Sequence, residues 1–293
     1  MSILLDILKA TEAEVARRRN ERSLADLKQM VKDAPRGRNF HAALATGFCL
    51  IAEIKVKSPS GGQMDSGNVE RAAKVYENAP GVAAVSVITQ ERYFGGSIRR
   101  LRQTRDSVSK PILRKDFIFD EYQVFEARAF GADAVLLMAT LNHGTEWKKQ
   151  LQELFDLTRF LGMDALVEIG MNGKSLSEMV SSVPIGTNIW GANARKFHGT
   201  PFKVRTKASR LLGRDFTTSS TRHVELRRAI PPGKLAVAES GIEKASQLSD
   251  LSSIGYNAVL IGTAFLKRQS IVEDVVQAFS DAALEIRRKQ RTD

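Results

Sequence analysis

The strongest constraint on this chain is a repeat of pattern, not of residues. Eight short runs rich in Val, Ile and Ala recur at 49–53, 82–88, 111–113, 134–138, 165–169, 185–192, 235–238 and 258–261. Each is almost continuously apolar, which is how strands read when both faces are buried, as in parallel sheets. Polar loops and amphipathic stretches separate them. Residues 120–130 carry Tyr122, Phe125, Ala129 and Phe130 on a helical stripe, with Gly131 placed to stop the helix. Residues 146–161 do the same with Trp147, Leu151, Leu154, Phe155, Leu157 and Phe160, all expected in the core, before Gly162. A last helix is expected over about residues 271–286.

Strict alternation of strand and helix demands right-handed crossovers and a parallel sheet. Eight such units between residues 49 and 286 match an α/β fold of the (β/α)8 TIM-barrel type, which runs to ~250 residues as one domain. An open, doubly wound sheet is the alternative. A further helix is predicted at 3–19, with Ile3, Ile7, Ala10, Glu14 and Val15 at helical spacing, lying across the barrel. No linker or shift in composition divides the chain. Residues 1–293 therefore read as a single domain, with 1–47 as an N-terminal helical extension.

Composition narrows the class. Hydrophobic residues make up 43% and charged residues 26%, as in ordinary globular proteins. The single cysteine, Cys49, cannot form an internal disulfide and reads as a small buried hydrophobe in a reducing, cytoplasmic setting. No run approaches the ~18 apolar residues of a membrane span, and Asp6 interrupts the first apolar stretch where a signal peptide would need continuity. The net charge is +11. Much of it falls in 198–230, where eight Lys and Arg residues face only Asp215 and Glu225. Clustered cations attract polyanions, but the aromatic interleaving of single-strand binders is missing, so a nucleic-acid partner is not expected.

In barrels of this class active sites lie where strands end and helices begin. The first strand end reads Glu53-Ile54-Lys55, and period-two alternation points Glu53 and Lys55 to the same side, into the mouth. Later strand ends supply Lys115, Glu168, Asn193 with Arg195, Glu239 with Ser240 and Gly241, and Ile261 with Gly262 and Thr263. Buried charges converging on one mouth must pair with one another and with a ligand, and crowded Lys and Glu groups shift one another's pKa toward values useful in acid–base work. The Ser240-Gly241 and Gly262-Thr263 pairs follow the seventh and eighth runs, a frequent phosphate site in barrels. Ser58 and Ser60 are placed to close over the same anion. A small phosphorylated molecule is the expected ligand.

Other motifs fail. Gly173-Lys174-Ser175 suggests a phosphate loop, but Glu168 stands where its first glycine belongs. His41, His143, His198 and His223 lack metal-ligand spacing, and neither GxSxG nor GxGxxG occurs. No metal site is read.

The strand-end residues together resemble the indole-3-glycerol phosphate synthase family. The resemblance rests on Ile51-Ala52-Glu53-Ile54-Lys55 with Ser58-Pro59-Ser60, on Tyr93-Phe94-Gly95-Gly96-Ser97, and on Pro111 through Ile118. It continues through Leu166-Val167-Glu168-Ile169, Gly191-Ala192-Asn193-Ala194-Arg195 and Ala238-Glu239-Ser240-Gly241-Ile242. The motifs run in order over nearly the whole chain. The resemblance implies ring closure of an anthranilate-derived aminodeoxyribulose phosphate with loss of CO2 and water, in tryptophan biosynthesis, without metal or cofactor. It implies Lys115 as general acid at the ribulose carbonyl, Glu168 as base, and Lys55 at the substrate carboxylate, with Glu53 and Asn193 completing the polar network. It places Arg195 as a substrate contact, Ser240, Gly241, Gly262 and Thr263 at the phosphate, and Phe94 and Phe117 on the aromatic ring. A monomer or weak homodimer is expected.

The chain departs from the family pattern after Arg195, where Lys196-Phe197 leads into the lengthened basic stretch 198–218. Gly170 stands where Asn, Ser or His is common, and Thr263 replaces a serine. Two other readings share the phosphate site or the charge. A sugar-phosphate isomerase would not need the Glu53/Lys55 pair, and a polyanion-binding module would act through the basic stretch alone.

Overall fold

Every one of the eight apolar runs forms a strand that pairs in parallel with its neighbours until the sheet closes on itself. The computed structural model describes residues 3–59, 61–139, 141, 146–170, 175–195, 220–268 and 271–292. The barrel strands are β1 (Cys49–Ile54), β4 (Val82–Ile88), β5 (Ile112–Lys115), β6 (Ala134–Met138), β7 (Asp164–Ile169), β8 (Ile189–Asn193), β9 (Leu235–Glu239) and β10 (Ala258–Ile261). A small hairpin of β2 (Lys57–Ser58) and β3 (Gly62–Gln63) follows β1. Closure occurs at β1, where Ile51 faces Ala84 of β4 on one side and Leu260 of β10 on the other. An open sheet is thereby excluded. All six residues of β1 and all five of β6 and β8 are buried, because one face fills the barrel and the other meets the helices.

Twelve helices are described: α1 (Ile3–Glu21), α2 (Leu24–Asp33), α3 (Phe40–Leu44), α4 (Ser66–Asn78), α5 (Ile98–Ser107), α6 (Glu121–Ala129), α7 (Trp147–Phe160), α8 (Leu176–Ser181), α9 (Ser220–Ala229), α10 (Gln247–Ser253), α11 (Thr263–Leu266) and α12 (Val272–Thr292). Gly131 and Gly162 do stop α6 and α7. Both take positive φ, and the amides of Ala132 and Met163 reach back to Ala127 O and Thr158 O at 2.9 and 3.1 Å, the six-to-one bond of a Schellman cap.

Three expectations are corrected. Strand β5 extends past residue 113, so Arg114 and Lys115 belong to the sheet itself. Strand β8 starts at Ile189, not 185. Pro184 and the positive-φ Gly186 turn the chain, Thr187 N and Oγ1 both donate to Pro184 O, and Ile185 is left 87% exposed. Phe160 is 84% exposed, since at 3.6 residues per turn it falls opposite the buried face of Trp147, Leu151, Leu154 and Thr158.

The N-terminal extension runs along the barrel from one end to the other. Near the strand C-termini, Glu14 of α1 accepts hydrogen bonds from Gln90 Nε2, Glu91 N and Arg92 N, just past β4. Arg18 pairs with Glu126 of α6 at 2.9 Å. Helix α2, started by a Ser23/Asp26 capping box, packs against α6. At the far end Arg38 N donates to Asp133 and His41 N to Asp164, where β6 and β7 begin. The 198–218 stretch lies outside the described residues.

Candidate active site

At the C-terminal ends of the strands the barrel opens into a cavity of about 330 Å³, within the range of small-molecule sites. Glu53, Lys55, Phe94, Lys115, Phe117, Glu168, Asn193, Arg195, Glu239, Ser240, Gly241, Ile261, Gly262 and Thr263 all border it. Two residues expected there do not. Ser58 Oγ turns into the β2–β3 hairpin and accepts the Gly61 amide at 2.9 Å, so Gly61 borders the cavity in its place. Ser60 lies outside the described residues.

Two charged clusters face each other across the mouth. On β1 the Lys55 ammonium donates to Glu53 Oε1 at 2.9 Å, with both side chains buried. Burial would push the Glu53 carboxyl up, but Lys55 and Lys115 beside it hold it below the ordinary carboxylate range. Burial pulls Lys55 below the ordinary lysine value, and the adjacent Glu53 offsets this only in part. Gly262 makes the arrangement possible, because a Cβ there would stand 2.4 Å from Glu53 Oε1.

Across from this pair Lys115 Nζ donates to Glu239 Oε2 at 2.6 Å and to Glu168 Oε2 at 3.3 Å. Both carboxylates are almost fully buried. Burial opposes the Lys115 charge, yet Glu239, Glu168 and Glu53 together raise it well above the ordinary lysine range. Glu239 moves the other way. Burial, with Glu168 as a like charge, lifts it to about 8 despite Lys115. One oxygen of each carboxylate, Oε1, is buried without a partner among the described residues. Gly191 stands beneath Glu239, where a Cβ would come 2.3 Å from Oε1.

Lys115 is braced by its sequence neighbour. Arg114 points outward from the barrel and is fully buried. It donates to Thr89 Oγ1 at 2.9 Å, Gln123 O at 2.8 Å and Asp116 Oδ2 at 3.0 Å, and lies 2.8 Å from Glu126 Oε2. Fixing Arg114 and Asp116 on either side fixes the backbone from which Lys115 projects. Phe94 and Phe117 form an apolar wall, with ring centroids 6.2 Å apart and planes inclined at 39°.

The loops after β9 and β10 form the other end. Ser240 has φ 70°, the one positive-φ residue besides glycine among those described, and Gly241 follows at φ 75°. Left-handed backbone at serine costs roughly 1–2 kcal/mol, and such strain clusters at functional sites. Arg195 borders the same cavity, within electrostatic reach of Glu53, Glu168 and Glu239, and its amide donates to Asn193 Oδ1 at 3.0 Å.

Asp116, Gln90, Leu136, Met138 and Leu260 also border the cavity and were not foreseen. Gln90 lies two residues beyond Ile88, so the period-two rule applied to Glu53 would have found it. Met138 is level with Glu168, which only the inter-strand register reveals.

A closed parallel barrel, with paired acids and bases at the strand C-termini and a strained turn after the seventh strand, defines a βα-barrel enzyme. A family model for indole-3-glycerol phosphate synthase matches residues 4–278. The chain is 35% identical to the indole-3-glycerol phosphate synthase of Micrococcus luteus, over 98% of this chain and 100% of that one. It is 37% identical to that of a Parafrankia species, over 98% and 99%. The chain belongs to the indole-3-glycerol phosphate synthase family. At the level of fold alone it is similar to the N-acetylmannosamine-6-phosphate 2-epimerase of Clostridium perfringens, with a TM-score of 0.54 and 14% identity over 84% of this chain and 99% of that one. No described helix is long and apolar enough to cross a membrane.

Proposed function

We propose that this mouth closes the indole ring of 1-(2-carboxyphenylamino)-1-deoxyribulose 5-phosphate to give indole-3-glycerol phosphate, CO2 and water. The observation that supports this most is Lys115, held between Glu168 and Glu239 and facing the Glu53–Lys55 pair within one cavity.

The chemistry asks for each part. The ring carbon bearing the carboxylate must attack the ribulose carbonyl, so the two ends of a flexible substrate have to be held together, itself worth ~7–11 kcal/mol of barrel-imposed proximity at best. Lys115, kept as an ammonium by its neighbours, donates a proton to the carbonyl oxygen as the carbon–carbon bond forms. Lys55 faces the substrate carboxylate, which then leaves as CO2 and restores the benzene ring. The new hydroxyl takes up a proton and leaves as water, and loss of a proton from the adjacent carbon completes the pyrrole ring. Glu168, with an unpartnered oxygen in the mouth, takes that proton. Proton transfers of this kind are each worth typically 10²–10⁴-fold. Glu53 and Asn193 orient Lys55 and the substrate, Arg195 helps hold the substrate, Phe94 and Phe117 flank its aromatic ring, and the Ser240-Gly241 and Gly262-Thr263 turns receive the phosphate.

The test is to incubate the protein with this substrate and follow indole fluorescence. Turnover dependent on Lys115 is expected. A folded protein with no turnover would overturn the assignment.

A further inference from the structure

We propose that His223 is a positioning residue for the phosphate end of the mouth, acting through the carbonyl of Ser240. The proposal rests on the phosphate placement above. His223 projects from α9 and is buried. Its Nε2 lies 3.1 Å from Ser240 O, the carbonyl of the strained residue. Ser240 O can only accept, so the neutral ring carries its proton on Nε2 and donates. Nδ1 is then a bare nitrogen, and it is buried without a partner among the described residues. Burial also holds the imidazole below its ordinary pKa, which favours that neutral form.

The peptide plane converts this bond into an aim. In a trans peptide the C=O of Ser240 and the N–H of Gly241 point in opposite directions. Drawing the carbonyl outward onto His223 turns the Gly241 N–H inward, and Gly241 borders the cavity. No described residue accepts from that N–H. A bond of ordinary strength here also offsets part of the cost of the left-handed Ser240.

The support behind His223 is firm. Tyr256 donates its hydroxyl to His223 O at 2.8 Å and stacks edge-on against the imidazole, centroids 5.8 Å apart. Helix α9 is pinned at one end by Arg222 to Gly170 O at 2.8 Å and further along by Arg227 to Gly255 O at 2.7 Å. A ring held this rigidly, with its one proton directed at one carbonyl, sets the orientation of the peptide it touches.

The experiment compares His223→Phe, which keeps the ring against Tyr256 but loses the donor, with His223→Gln, whose amide can still donate. Steady-state kinetics and competition by inorganic phosphate are read for both and for the unaltered protein. The Phe variant should raise KM and the phosphate inhibition constant together by roughly five- to tenfold, the loss of one hydrogen bond, with kcat within about twofold. The Gln variant should restore both. Should the Phe variant fail to fold, His223→Asn, polar but too short to reach Ser240, replaces it with the same expectation. Unchanged KM and phosphate inhibition in the donor-less variant, or a Gln variant as impaired as Phe, would overturn the role of His223. Phosphate that does not compete with substrate on the unaltered protein would instead overturn the phosphate placement itself.

Discussion

Lys115 approaches Glu239 more closely than Glu168, at 2.6 Å against 3.3 Å. One ammonium therefore serves two buried carboxylates that come from strands β7 and β9. Neither carboxylate alone explains why the lysine stays charged in so buried a place; Glu239, Glu168 and Glu53 raise it together against the cost of burial.

Loss of Lys115 should stop turnover. Lys115→Ala removes the proton donor and leaves Glu168 and Glu239 facing each other, and a fall in kcat of about 10³-fold or more is expected. Glu168→Gln keeps the shape but not the base and should cost about 10²–10⁴-fold. Both are read by indole fluorescence, with circular dichroism to establish the fold. Rates within tenfold of the unaltered protein would reject these roles.

Glu239 should make stability depend on pH. Its folded pKa is raised from 4.5 to about 8, so between those values the folded protein holds a proton that the unfolded chain has released. Its contribution is present below 4.5 and is lost as pH rises through 8. Denaturant midpoints of the unaltered protein should fall across this window relative to those of Glu239→Gln, which has nothing to titrate there. Parallel profiles for the two proteins would contradict the raised value.

Gly262→Ala should damage the site more than the fold. A Cβ placed 2.4 Å from Glu53 Oε1 forces the carboxylate aside by about an ångström, a displacement that can cost ~10²-fold in kcat/KM. Overpacking of this kind costs typically 1–3 kcal/mol in stability. Kinetics and thermal melts on one preparation separate the two effects, and an unchanged kcat/KM would show that Glu53 is not held by this contact.

Arg114 is the opposite case, a residue of the scaffold. Arg114→Ala takes the buried cation from Asp116 and leaves Glu126 with Arg18 as its remaining ion-pair partner, and removing one partner of such a group costs about 3–5 kcal/mol. Urea unfolding should show a loss of that size, and less than ~1 kcal/mol would mean that the network relaxes around the gap.

Much of the architecture was legible in the residues. Eight apolar runs each became a barrel strand, because a strand buried on both faces must be apolar throughout. The Glu53/Lys55 pair was legible too, since period two acts along a single strand and needs no knowledge of its neighbours. Local patterns misled where a turn or a helix face intervened. Pro184 and Gly186 removed Ile185 from a strand, and Phe160 rotated off the buried stripe that begins at Trp147.

What the chain order determined by itself was therefore the element series, the direction of alternate side chains, and the family to which the motifs pointed. What only the tertiary structure decided was which groups meet. Glu239 is 124 residues from Lys115 in the chain, yet they meet because parallel pairing sets the strands in register and closure brings their ends around one mouth. The same holds for His223 beneath Ser240, and for Gly191 and Gly262, whose missing side chains make room for Glu239 and Glu53. Such contacts depend on inter-strand register and close packing, and these are properties of the closed barrel that no stretch of sequence contains.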